Sequence, residues 1–266
     1  MTDQPITAVL TRRDGSWHPS PYAAGPFGGL HGGVIAAGLL AAMAELPAVA
    51  GDPAVLNVQL LRAPKLAPFS IEAAQIRSGR RSSSAEATLT QDGREMARAT
   101  AMFASPAQLT DIDVPSIDPI DPAQLSAPEE KRIGTGPWSL GGDWFWSAFE
   151  VRLDADGGFW FRPRIPVIEG ASAAATVVAI ADWSSGLFRP DRMGPRRIAA
   201  WPNAELSVHL ARPAAQIDPR GWFGVSGASA WNGLGWGYTG ATLRDSEKTL
   251  ARSAQACILT PAESTT

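Results

Sequence analysis

Three stretches of the chain hold polar groups in apolar surroundings, and these groups are the candidates for chemistry. Asp182 follows Val177-Val178-Ala179-Ile180-Ala181, an apolar run with no polar face, which reads as the end of a buried helix. A carboxylate near a helix C-terminus opposes the macrodipole, at ~0.3–1 kcal/mol even on a surface. Once buried it also needs hydrogen-bond partners. A residue that breaks local rules in this way is a candidate general base or water-orienting group; its plainer use is to cap the turn at 183–186. Gln255 lies in the alternating run Ala251-Arg252-Ser253-Ala254-Gln255-Ala256-Cys257. Strand parity turns it inward with Ala251, Ser253 and Cys257, and an inward amide needs partners, either a reactant or the backbone. His31-Gly32-Gly33 opens an apolar helix. Small residues there leave backbone N–H groups open to a ligand at the positive helix end, where developing negative charge is stabilised. Alternatively the glycines only permit close packing, and His31 is a cap or a packed ring. Asn203, in Trp201-Pro202-Asn203 ahead of a strand, reads by itself as a turn residue.

Other chemistries find little support. The chain has one cysteine, Cys257, so no internal disulfide can form, and the strand around it suggests a packed thiol. His18, His31 and His209 are scattered and lack zinc-site spacing, and no EF-hand loop is present. His18 and His209 are assigned to structure. Gly235-Trp236-Gly237-Tyr238-Thr239-Gly240 matches G-x-G-x-x-G literally. Strand-like residues follow it where a nucleotide fingerprint requires a helix, so the glycines read as part of a curved strand. No P-loop and no G-x-S-x-G motif is present. With 23 basic against 26 acidic residues, no basic excess exists for a nucleic-acid backbone. The most apolar run, 32–44, is too short to span a bilayer ~30 Å thick, and residues 1–15 lack a signal-peptide core. The expectation is a cytoplasmic protein without metal or redox cofactor, nucleic-acid partner or membrane span.

The elements that must position these groups are repeated. Leu56-Asn57-Val58-Gln59-Leu60-Leu61-Arg62 and Leu206-Ser207-Val208-His209-Leu210-Ala211-Arg212 both read L-x-V-x-L-x-R with a proline just beyond, at an offset of 150. Their alternation has the period of a half-buried strand. Ala97 to Phe103 and Ala251 to Cys257 form a second matched pair in the same order, at an offset of 154, the first of them following an Asp92-Gly93 hairpin signal. Each half carries one alanine-rich helix candidate ahead of its strands, 34–46 and 173–183. The 266 residues, 45% apolar and 18% charged, suffice for two small domains. Residues 106–137, rich in proline and acidic side chains, read as a surface linker between a unit at 1–105 and a unit at 138–266. A helix apolar on all sides must be buried, so each unit is expected to wrap an antiparallel sheet around a central helix.

This pattern resembles the double-hotdog acyl-CoA thioesterases, the TesB-like family, over nearly the whole chain. The marks are Ala24-Gly25-Pro26-Phe27-Gly28-Gly29 leading into His31-Gly32-Gly33, Leu60-Leu61-Arg62-Ala63-Pro64, Ala181-Asp182, Leu210-Ala211-Arg212-Pro213 and the Gln255 strand. The resemblance implies an α+β double hotdog that hydrolyses an acyl-CoA thioester, with a water held by Asp182, Asn203 and Gln255. It implies substrate binding at His31, Gly32 and Gly33, and a role in fatty-acid metabolism. Asn203 stands where the family carries threonine. Asn still offers a donor and an acceptor but no hydroxyl. That departure keeps a non-catalytic acyl-CoA or acyl-carrier binding protein as the alternative. A hotdog hydratase would need histidine five residues after Asp182, where Leu187 stands. The first helix has the Gly-Gly start and no Asp at its end; the second has Asp182 and no Gly-Gly start. One composite site and one degenerate site are therefore expected. Acyl-chain length and any homo-oligomer stay open.

Overall fold

The alternating segments of the sequence become one continuous antiparallel ladder in the computed structural model, which describes residues 5–47, 49–107, 118–126, 143–188, 198–232 and 234–261. The first half runs β1 (Leu10–Arg13), β2 (Ser16–Pro19), α1 (Gly32–Ala44), β3 (Asp52–Leu60), β4 (Ser70–Arg77), β5 (Ser82–Gln91) and β6 (Arg94–Ala104). The second runs β7 (Phe149–Leu153), β8 (Phe159–Pro163), α2 (Ala173–Ala181), α3 (Ser184–Leu187), β9 (Ile198–Ala200), β10 (Asn203–Leu210), β11 (Phe223–Trp231), β12 (Trp236–Arg244), β13 (Thr249–Ile258) and β14 (Thr260–Pro261). Ten strands form one sheet in the order β4-β5-β6-β3-β10-β13-β12-β11-β8-β7. All neighbouring pairs in it are antiparallel.

The repeated motif pairs with itself at the centre of this sheet. In the β3–β10 seam Asn57 faces Ser207, Leu56 faces Val208 and Val58 faces Leu206. A pseudo-twofold axis thus passes between Asn57 and Ser207, whose Oγ donates to Asn57 Oδ1 at 2.9 Å. The equivalence continues outward: Leu56 pairs with Ala101 where Leu206 pairs with Gln255. Ala85 pairs with Ala101 where Thr239 pairs with Gln255. The β1–β2 hairpin touches the β4 side through a Trp17–Phe69 bridge, in the place that β7–β8 takes beside β11. This is the double hotdog, of class α+β.

Both helices lie under the inner face of the sheet. α1 is buried from Gly33 to Met43 and α2 along its whole length. Each fully buried Leu, Ile or Val contributes about 1.5–3 kcal/mol, which explains why alanine-rich segments without a polar face become the core rather than the surface. The helices cross where a side chain on Gly33 would stand 2.2 Å from the carbonyl oxygen of Ala179. Only glycine lets the backbones approach so closely. α1 stops at Ala44, two residues short of the sequence expectation, and α2 at Ala181, with Asp182 as its C-cap. The Asp92-Gly93 turn has φ of 52° and 71°, the left-handed pair that a two-residue hairpin requires.

Part of the expected linker, 118–126, falls among the described residues and rests on the second half. Leu125 is buried there, Ser126 bridges Leu153, and Ile120 N–H donates to Ser246 O at 2.8 Å. Residues 108–117 and 127–137 of that stretch lie outside the described residues. No helix among the described residues is long and apolar enough to cross a membrane.

Candidate active site

Asp182 is placed by two independent constraints. The apolar α2 carries it into the interior, where it is 6% exposed, and the glycine start of α1 gives it room. A Cβ on Gly32 would lie 2.9 Å from Asp182 Oδ2, so this position tolerates no side chain while the carboxylate stays where it is. Gly33 N–H donates to Oδ2 at 2.8 Å, and Asn203 Nδ2 donates to Oδ1. The first-half helix start and the second-half carboxylate, specialised in opposite ways in the sequence, are thus in direct contact. The plainer use of the Asp182 side chain, capping its own following turn, is not what the structure has: α3 receives no side-chain cap.

His31 is the N-cap of α1. Its Nδ1 lies 3.1 Å from Gly33 N and 3.1 Å from Asp182 Oδ2. The ring packs against Phe145 and Trp183, with centroids at 4.5 and 4.6 Å. Burial lowers its pKa to about 3, so the imidazole is neutral. Gly33 N–H lies between two acceptors, Nδ1, which takes it as the helix N-cap, and Asp182 Oδ2; a protonated Asp182 can donate to the Nδ1 lone pair. Burial raises the Asp182 pKa to about 6, against the opposing pull of the Asn203 amide and the Gly33 N–H. A carboxylate with that affinity for a proton is ionised at neutral pH yet basic enough to take one.

Asn203 opens β10 instead of forming a separate turn, and pairs with Cys257 of β13. Gln255, 1% exposed, occupies the inward position that strand parity assigns it. Its Nε2 donates to the backbone oxygen of Asp182 at 3.2 Å and to Ser184 Oγ, while its buried Oε1 has no partner among the described residues. Both readings of this amide thus meet in one residue: it bonds backbone, and it bonds the backbone of Asp182. The pseudo-twofold puts Pro53, Ala85 and Ala101 opposite Asn203, Thr239 and Gln255, so the polar set exists once. Cys257 is fully buried; burial and the nearby Asp182 charge push its thiol up to about 12, which makes it the inert packed thiol expected from its strand.

The carboxylate faces a cavity of about 460 Å³. Leu30, Ile35, Leu60, Trp183 and Trp201 give it apolar walls, and His31, Gly32, Asp182 and Asn203 supply its polar end. Gly32 lines this space; Gly33 and Gln255 do not. Phe27 meets Trp201 edge-on at 5.2 Å over the loop that carries Gly25 and Gly28. The sequence reading missed Ser184, Thr239 and the Phe145–Trp183 ring stack. Only Thr239 left a trace, as a polar residue at the offset of 154 from Ala85. The G-x-G-x-x-G run lies in β12 and its approach, where a Cβ on Gly237 would strike the Trp231 ring at 2.0 Å. Among the described residues no group of three or more His, Cys, Asp or Glu could hold a metal ion.

Residues 19–104 match the acyl-CoA thioesterase N-terminal domain, and residues 113–259 match the acyl-CoA thioesterase C-terminal domain. The chain belongs to the acyl-CoA thioesterase family. It is a thioester hydrolase. Solved structures of similar fold include a hot dog fold protein from Alicyclobacillus acidocaldarius, 20% identical, covering 97% of each chain with a TM-score of 0.70. The TesB protein of Mycobacterium avium subspecies paratuberculosis is 19% identical over 96% of this chain and 97% of its own, with a TM-score of 0.67. The acyl-CoA thioesterase II TesB2 of Mycobacterium marinum is 15% identical over 97% of this chain and 96% of its own, with a TM-score of 0.69. At these identities the likeness is one of fold. Comparison with curated proteins gave no match.

Proposed function

We propose that this thioesterase hydrolyses an acyl-CoA to the free acid and CoA by direct attack of a water that Asp182 activates. The observation that carries the reading is a buried carboxylate of raised pKa at the polar end of an otherwise apolar cavity, held by groups from both halves of the chain. The water oxygen adds to the thioester carbonyl carbon while its proton passes to Asp182. The oxygen of the tetrahedral intermediate takes the negative charge beside the N-terminus of α1. Gly32 N–H is the donor assigned to it, because Gly32 lines the cavity whereas Gly33 N–H is directed at Asp182. Collapse of the intermediate breaks the C–S bond, and the departing thiolate recovers the proton from Asp182.

Asn203 holds the carboxylate by its Nδ2 and so sets the direction in which Asp182 takes one hydrogen of the water. Gln255 accepts from the water through Oε1. His31 fixes the start of α1 and orients Oδ2. The acyl chain lies along Leu30, Ile35, Leu60 and the two tryptophans, where chain burial contributes about 0.8 kcal/mol per CH₂. No step calls for a metal or redox cofactor, and the chemistry belongs to fatty-acid metabolism.

The test is CoA release from short-, medium-, long-chain and aromatic acyl-CoAs by wild type and Asp182→Asn. Turnover by wild type that falls at least 100-fold in the variant, with the acyl-CoA still bound, is expected. A variant that keeps its rate removes Asp182 from the mechanism.

A further inference from the structure

The Gln255 amide has two hydrogen-bonding ends, and its function depends on which one faces the reaction. The structure settles the direction through neighbours. The Asp182 backbone carbonyl can only accept, so the NH₂ end must face it. The second hydrogen of Nε2 goes to Ser184 Oγ. Ser184 Oγ in turn lies 3.4 Å from Thr239 Oγ1. Ser184 and Thr239 are fully buried, as is the amide they support. With both Nε2 hydrogens used, Oε1 is the atom of the side chain with acceptor capacity left, and it has no partner among the described residues.

The pseudo-twofold supplies an independent observation. Thr239 and Gln255 face each other across β12 and β13, and their equivalents across β5 and β6 are Ala85 and Ala101. The same sheet positions are therefore filled by alanine in the first half, so the fold does not require hydroxyl or amide groups there. Buried polar groups that the fold does not require, joined in a chain ending at Asp182, point to function.

We infer that Ser184 and Thr239 are positioning residues that lock the Gln255 amide with Oε1 toward the attacking water. This rests on the reading that Gln255 holds that water. Without the Ser184 acceptor one of the two hydrogen bonds that hold Nε2 is lost, and the amide is held by the Asp182 carbonyl alone. Thr239 acts one step further out, by holding the Ser184 hydroxyl.

The experiment measures kcat and KM on one good acyl-CoA for Ser184→Ala, Thr239→Val, Thr239→Ser, Gln255→Ala and the Ser184→Ala/Gln255→Ala pair, with Tm as the check on folding. Ser184→Ala is expected to lower kcat roughly tenfold and Thr239→Val somewhat less, with KM within about twofold, as loss of one neutral orienting hydrogen bond implies. Thr239→Ser, which keeps the hydroxyl, restores most of kcat. In the Gln255→Ala background Ser184→Ala has no further effect, because the group it orients is gone. Full kcat in folded Ser184→Ala and Thr239→Val, while Gln255→Ala is impaired, overturns this inference and leaves the mechanism standing. An undiminished loss from Ser184→Ala in the Gln255→Ala background also overturns it. Full kcat in Gln255→Ala removes the water-holding role and the inference together. If Ser184→Ala fails to fold, the near-isosteric Thr239→Val decides.

Discussion

Asp182 combines a thermodynamic liability with a chemical use. Its folded pKa, about 6, lies above the 3.8 of an unperturbed aspartate, so the folded chain binds this proton more tightly than the unfolded chain does. Protonation therefore stabilises the fold fully below pH 3.8, and that stabilisation is lost as pH rises through about 6. Asp182→Asn removes the buried charge. It is expected to raise Tm at pH 8, by a net gain on the order of 1 kcal/mol, and to lose that advantage as pH falls to 4; thermal melts of both proteins across this range check the sign. His31 works in the opposite direction, since its pKa is lowered from 6.5 to about 3 and its neutral form costs stability as pH falls below 6.5, but it is present in both proteins. At this scale the sequence was legible where a residue violated its surroundings. Asp182 ended an apolar run and Gln255 pointed inward from a strand. Ser184 and Thr239 were not legible, because a serine at a helix start and a threonine in a strand are ordinary choices. Asn203 read by itself as a turn; the family resemblance gave it a place beside the water, and its hydrogen bond to Asp182 is a long-range contact that its neighbours in sequence do not announce.

At the scale of elements, the two glycines at the start of α1 do different work, and the sequence left their uses as alternatives. Gly33 permits the crossing of α1 over α2, with 2.2 Å between a hypothetical Cβ and the Ala179 oxygen. Gly32 makes room for the Asp182 carboxylate. Gly33→Ala is expected to destabilise the protein by about 1–3 kcal/mol or more, as overpacking against rigid backbone does, readable as a lower denaturation midpoint. Gly32→Ala meets a side chain rather than backbone. It is expected to cost much less stability but to lower kcat at least tenfold by displacing the base, which urea melts and steady-state kinetics together separate. Equal stability losses would refute this division. Both helices were readable because apolar residues cover them all round, within two residues at their ends. The pairing of β3 with β10 was not stated by either strand alone; it follows from the repeat once self-complementary registry is recognised.

At the scale of the whole molecule the two halves repeat one strand pattern, and the positions equivalent to Asn203, Thr239 and Gln255 hold Pro53, Ala85 and Ala101. The smaller cavity, about 170 Å³, is lined by Asp52, Pro53, Ala54, Ala104, Leu210 and Arg212, the counterparts of Pro202, Asn203, Ala204, Ile258, Leu60 and Arg62 in the larger one. Proline, which has no side-chain donor, stands in the place of the carboxylate-holding asparagine. Titration of the inactive Asp182→Asn protein with acyl-CoA is expected to give one site per chain, and two equal sites would contradict the asymmetry. The proton affinity of Asp182 belongs to this scale as well, because the start of α1 from the first half and the helices and strands of the second jointly bury it. The most direct test is therefore the pH dependence of kcat/KM for wild type and Asn203→Ala. An acidic limb near pH 6 is expected for wild type, shifted to higher pH in Asn203→Ala because a hydrogen bond that favours the charged form is lost. A profile flat from pH 5 to 8, or a limb that does not move in the variant, would contradict the assignment of Asp182 as the base.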